Sequence, residues 1–242
     1  MTTELKEFIE KNKDAINNHE WEDLYENQLI DDKLTGEFTS CLLDIEVDPA
    51  KEMQVLPRCY LMGSQITEYI VPKNIKLIEH GAFYHCNRLR NIVVQGNLES
   101  IGDSAFSDCH ELLSIIFPGD VGVIDAYAFI GCRKLTNVKF NGSLNKIKEY
   151  AFYHCSEIEN IILPVGVIFI GRKSFYGCDK LKSITLPKTL SIIGESVFAY
   201  CKSLKAINYQ GTKAQWYDID KQYWYLDSNI TTVHCSDGDI QV

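Results

Sequence analysis

An α/β repeat solenoid is the fold class this sequence predicts, and three columns of like residues predict it. Cys86, Cys109, Cys132, Cys155, Cys178 and Cys201 follow one another at intervals of 23 residues. Three positions earlier Phe83, Phe106, Phe129, Phe152, Phe175 and Phe198 keep the same step, and Ile78, Ile101, Ile124, Ile147, Ile170 and Ile193 keep it again. Six registers without an insertion mark the stacking of one structural unit. Self-similarity at a fixed period decides the architecture before local propensity does.

Residues 1–60 stand apart from this array. They hold 6 Lys/Arg against 15 Asp/Glu, a net charge of −9 that equals that of the whole chain. Leu5, Phe8 and Ile9, then Trp21, Leu24 and Tyr25, then Phe38, Cys41, Leu42 and Ile45 recur at helical spacing. Asp48-Pro49 is a helix start signal. The segment reads as an acidic helical N-terminal cap over 1–60. An open solenoid end would expose core and an unpaired strand edge, so a cap is expected on physical grounds.

The repeats follow over 61–209, one partial and six regular coils. Each unit begins Leu-x-x-Ile-x-Leu, whose period of two reads as a short strand. A turn follows, marked by Pro72, Pro118, Pro164 and Pro187 or by Gly96, Gly142 and Gly211. Ile-Gly-x-x-Ala-Phe-x-x-Cys then reads as a return path with one tight helical turn. A single coil buries about seven apolar side chains at ~1.5–3 kcal/mol each, against ~1–2 kcal/mol of backbone entropy for each of its residues. It cannot stand alone, and stacking supplies what it lacks.

This unit resembles the BspA-type leucine-rich repeat, most cleanly at Ile170-Gly171-Arg172-Lys173-Ser174-Phe175-Tyr176-Gly177-Cys178. The resemblance covers roughly Ile66 to Tyr209. Ser174 and Val197 depart from the Ala of the pattern, and Glu79, Asp125 and Lys148 from its Gly. The resemblance implies a right-handed, curved leucine-rich repeat with short parallel strands on its concave side. It also implies a role in adhesion or protein interaction, and it brings a secreted or cell-surface location as an alternative to the cytoplasm.

Residues 210–242 break the period and read as an irregular aromatic C-terminal cap. Gly211-Thr212-Lys213-Ala214-Gln215-Trp216 and His234-Cys235-Ser236-Asp237-Gly238 resemble endings that follow such repeats in bacterial members of the family. Trp216, Tyr217, Tyr223, Trp224 and Tyr225 suit closure of the last coil; stacking on a sugar is the alternative.

Chemistry is sparse. No zinc-type Cys or His pair occurs within one turn, and no nucleophile elbow, phosphate loop or zinc-protease helix is present. No catalytic residue, cofactor or metal is expected. The column cysteines read as buried, inert thiols with raised pKa values, although their coil spacing alone would permit disulfides. Tyr84-His85-Cys86 and Tyr153-His154-Cys155 lack a third, orienting group for a Cys–His nucleophile. The N-terminus lacks a basic and apolar leader, so a chain complete at its start is expected in the cytoplasm. No apolar run reaches the ~20 residues of a membrane span.

A binding scaffold is therefore the functional expectation, monomeric and with a protein or peptide partner. If Ile92 and Val94 face the core, the column Ile70, Val93, Ile116, Lys139, Ile162 faces outward, apolar over its first coils. Asn91, Asn137 and Asn160 rim it. Ile70, Val93, Ile116 and Ile162 with these three asparagines are the expected partner-binding residues on the concave face. Carbohydrate binding or adhesion is an alternative. So is an anionic polymer on the stretch 133–205, which holds 12 basic and 5 acidic residues, through Arg133, Lys134, Lys180, Lys182 and Lys205. Interleaved Glu157 and Glu159 weigh against nucleic acid.

Overall fold

The computed structural model describes residues 54–221 and 223–242. The helices expected over 1–53 lie outside these residues. Within 54–60, where the acidic cap was expected to end, Val55–Leu56 is a strand, β1. The ladder of coils thus begins ahead of the expected start at residue 61.

The described chain winds as a β-solenoid of about eight turns. Strands line two sides of it. On the first side run β2 (Glu68–Val71), β4 (Asn91–Val94), β6 (Ser114–Phe117) and β8 (Asn137–Phe140), paired in parallel. The same side continues with β10 (Asn160–Ile162), β12 (Ser183–Leu186) and β14 (Ala206–Tyr209). The hydrogen-bonded order is interrupted between β8 and β10.

A second parallel sheet was not anticipated. It stacks β1, β3 (Leu77–Ile78), β5 (Leu98–Ile101), β7 (Val121–Ile124), β9 (Leu144–Ile147), β11 (Phe169–Ile170) and β13 (Ile192–Ile193). The expectation of strands on one side only is therefore corrected. Buried backbone groups must be paired, and with copies stacked at strand spacing every extended stretch finds its partner in the next coil. The buried Ile78–Ile193 column anchors this sheet.

The helical turn read into Ala-Phe-x-x-Cys is also corrected, since none of the repeats contains a helix. Two residues per coil have positive φ. Gly81, Ser104, Tyr127, Tyr150, Lys173 and Ser196 form one such column, with φ between 52° and 62°. His85, Asp108, Gly131, His154, Gly177 and Tyr200 form the other. A left-handed residue every fourth position ends any helix before its first full turn. The stack holds these conformations: Tyr127 N donates to Glu149 O and Tyr150 N to Arg172 O, each at 3.0 Å,. Between the two columns, Phe83, Phe106, Phe129 and Phe152 each donate their N–H to the next coil at 2.7 Å. All three sides of the solenoid are thus tied coil to coil.

The core is a set of ladders. Phenylalanine rings stack from Phe83 to Phe106 at 4.8 Å, and onward to Phe129 and Phe152 at 5.1 Å each. Phe198 ends the ladder against the edge of Trp224 at 6.2 Å.

The C-terminal segment is a built cap rather than an irregular one. Thr212 opens α1 (Lys213–Asp218) with a reciprocal capping box to Gln215,. Strand β15 (Thr232–Cys235) pairs in parallel with β14, and β16 (Gly238–Gln241) turns back antiparallel on it. On the other two sides Ile193 N donates to Asp220 O, Ser196 N to Tyr223 O and Tyr200 N to Asp227 O. The tail thereby satisfies the last coil on every side.

Candidate interaction surface

Alternation along each strand of the first sheet sets what faces the solvent. Tyr69, Ile92, Ile115, Val138 and Ile161 point into the core and are buried, so their neighbours point out. Ile70, Val93, Ile116 and Ile162 are 55%, 52%, 43% and 67% exposed, high values for such side chains,. Parallel pairing places Ile70 beside Val93, Val93 beside Ile116, and Ile116 beside Lys139. Asn91, Asn137 and Asn160 occupy the adjacent outward column and are exposed. The seven residues singled out in the sequence thus share one face, with Leu113, 41% exposed, at its margin. Toward the C-terminus the apolar column gives way to Thr185, Asn208 and His234.

Half of the basic residues in the stretch 133–205 are in ion pairs. Lys134 meets Glu111 at 2.6 Å, Lys180 meets Glu157 at 2.7 Å and Lys182 meets Glu159 at 2.8 Å, each one coil back. The hydrogen bond from Lys134 lowers the pKa of Glu111, and that from Lys182 lowers the pKa of Glu159. Lys202 and Lys148 meet Asp179 and Asp125 in the same register. These exposed pairs weaken the field that an anionic polymer would need.

Cysteine and histidine are adjacent in sequence but diverge in space. Cys86 is buried and donates its thiol to Leu61 O at 2.9 Å, while His85 Nε2 faces Asp108 at 3.4 Å. His154 lies against Tyr153 and Tyr176. Neither imidazole addresses its neighbouring sulfur. Among the described residues there is no group of three or more His, Cys, Asp or Glu placed to hold a metal. No helix among them is long and apolar enough to cross a membrane.

Of the terminal aromatics, Trp216 and Trp224 are buried and meet edge to face at 5.4 Å. They close the core, whereas Tyr217, Tyr223 and Tyr225 remain exposed. One surface feature went unnoticed in the sequence. Tyr127 stacks on Tyr150 at 5.0 Å, Tyr150 touches Tyr153, and Tyr153 stacks on Tyr176 at 4.7 Å, forming an aromatic band along the turn side. Arg172 and Lys173 lie over Tyr150, and Lys173 also over Tyr176. The 23-residue steps Tyr127–Tyr150 and Tyr153–Tyr176 carried the signal.

The model of the BspA type leucine rich repeat region matches in six copies, over residues 54–164 and 145–240. A leucine-rich repeat protein from Bacteroides ovatus is 28% identical, with a TM-score of 0.60 over 72% of this chain and 44% of its own. A leucine-rich repeat protein of T. pallidum is 23% identical, with a TM-score of 0.45 over 59% of this chain and 64% of its own. The pneumococcal vaccine antigen PcpA is 21% identical, with a TM-score of 0.47 over 69% of this chain and 51% of its own. The chain thus spans less than two thirds of each of these structures. No curated protein matches the sequence.

Proposed function

The chain belongs to the BspA-type leucine-rich repeat family, and from that premise we propose that it is a non-catalytic scaffold that binds a protein or peptide partner on the outer face of its first sheet. One observation carries the reading: Ile70, Val93, Ile116 and Ile162 stand exposed in one column, with Asn91, Asn137 and Asn160 beside them. Contiguous exposed apolar side chains rimmed by polar ones mark interaction sites. The neutral amides satisfy a partner's polar groups without the desolvation cost of charges. The column cysteines are buried and engaged with the core.

Two substitutions test this. Val93→Asp together with Ile116→Asp leaves the circular dichroism spectrum and melting transition of the solenoid in place, because both side chains lie outside the core. The same pair abolishes capture of the partner from cells that make the protein. Capture that persists unchanged in the folded double variant contradicts the assignment of this face.

A further inference from the structure

The chemistry of the partner follows from the pitch and charge of this same face, so the inference rests on the reading just given. We propose that the face takes an amphipathic α-helix lying along the stacking direction, with a carboxylate at its fourth contact position seated on Lys139.

The pitch comes first. Phe117 and Phe140, at the ends of β6 and β8, stack at 5.2 Å, which measures the coil-to-coil step at the sheet itself. Four such steps lead from Ile70 to Ile162, a span of about 20 Å for strands at ordinary spacing. One face of an α-helix presents residues i, i+4, i+7, i+11 and i+14, and that run covers about 21 Å. Each helical turn therefore meets one coil across the whole column. An extended peptide repeats on one face about every 6.7 Å and would travel about 27 Å in four steps, losing register by more than one coil. Helix-in-groove recognition reads the same i, i+3/i+4, i+7 anchors.

The charge comes second. Lys134, Lys148, Lys180, Lys182 and Lys202 each face an acidic side chain one coil back. Lys139 has no such partner, since its neighbour one coil back is Ile116 and the residue 23 positions on is Ile162, which leaves an ammonium inside the apolar column. It is exposed, and among the described residues no acidic side chain pairs with it. A partner that covers the apolar column would strip water from this ammonium, and desolvating it without a counter-charge is costly. A carboxylate at that one position resolves the conflict and also fixes the helix in register.

The test is selection of helix-forming peptides of about 20 residues, long enough for the five contacts, from a display library. They are selected on the full chain and counter-selected against the Val93→Asp, Ile116→Asp variant. The expected pool has four apolar residues and one Asp or Glu on a single helix face, the acid at i+11 of i, i+4, i+7, i+11, i+14 or, for a helix of opposite polarity, at i+3 of i, i+3, i+7, i+10, i+14. Binding of a selected peptide to Lys139→Glu falls about tenfold or more, the equivalent of about 1.4 kcal/mol. It recovers when the peptide's acid is replaced by Lys. A pool that depends on Val93 and Ile116 but lacks this spacing, or that ignores Lys139→Glu, overturns the helix inference and leaves the face intact. An empty pool after counter-selection overturns the face and the inference together.

Discussion

The thiol of Cys132 donates to Phe106 O at 3.1 Å, and Cys109, Cys155, Cys178 and Cys201 repeat the contact one coil apart. That contact explains why a weak donor of this size recurs where alanine would also fit the space. Burial pushes the thiols of Cys109, Cys132, Cys155 and Cys178 well up from the ordinary range. In the unfolded chain a thiol ionises near pH 8.5. Above that pH the unfolded chain releases protons that the folded chain retains, so stability is whole below it and falls as pH rises. The slope reaches about 1.4 kcal/mol per pH unit for each such thiol. Urea unfolding at pH 7.5 and pH 9.5 measures the decline, and equal stabilities would contradict it. Ser174 offers a second test: its hydroxyl is buried without a hydrogen-bond partner in a column whose other members, Ala82, Ala105, Ala128, Ala151 and Val197, are apolar. Ser174→Ala should raise unfolding stability by about 1 kcal/mol, and a loss would show a hidden partner. The cysteine column was legible at once as a period and as buried, inert thiols. Its carbonyl partner was not, because the acceptor is a backbone atom 26 positions earlier and leaves no trace in side-chain pattern.

The elements divide by how much of their cause is local. Strands β2, β4, β6 and β8 announce themselves by alternation. The second sheet does not, since its buried positions bracket two outward ones, as in Leu98–Ile101, and only stacking turns that stretch into strand. The turn column was misread for a related reason. Ala-Phe-x-x-Cys has helical spacing, but positive φ at Tyr127, Tyr150, Lys173 and Tyr200 is imposed by the neighbouring coils. At Gly177 glycine is needed twice over: φ is 69° and an added Cβ would run into the His154 ring. Gly177→Ala should cost about 1–3 kcal/mol. His154→Ala should restore part of that cost in the double variant, because it removes the ring and leaves the backbone strain. A double-mutant cycle with coupling under about 0.5 kcal/mol would place the whole cost in the backbone instead. At the C-terminal cap, Thr212→Ala should lower stability by about 1 kcal/mol through loss of the capping box; an unchanged melt would show that β15 and β16 hold the cap without α1.

On the scale of the whole molecule, a stack with unbroken 23-residue registers presents every outward position as a column, so single exposed residues become continuous stripes. Two stripes result, one of β-branched residues on the first sheet and one of tyrosines on the turn side. The first was readable from alternation alone. The second was hidden because its rings come from two different positions of the repeat and meet only after folding, as Tyr150 and Tyr153 do at 5.5 Å. Charge followed the same logic: part of the basic excess counted along the chain is taken up in ion pairs between coils, as at Lys180–Glu157, and Lys139 stands out because its column neighbours are apolar. Site-specific photo-crosslinking asks most directly which stripe is used. With p-benzoylphenylalanine placed at Val93 on the first sheet, or at Ile192 on the second, illumination of cells making the protein should yield a discrete crosslinked partner from position 93 and none from position 192. Crosslinking from 192 alone, or equally from both, would contradict an interaction face built on Ile70, Val93 and Ile116.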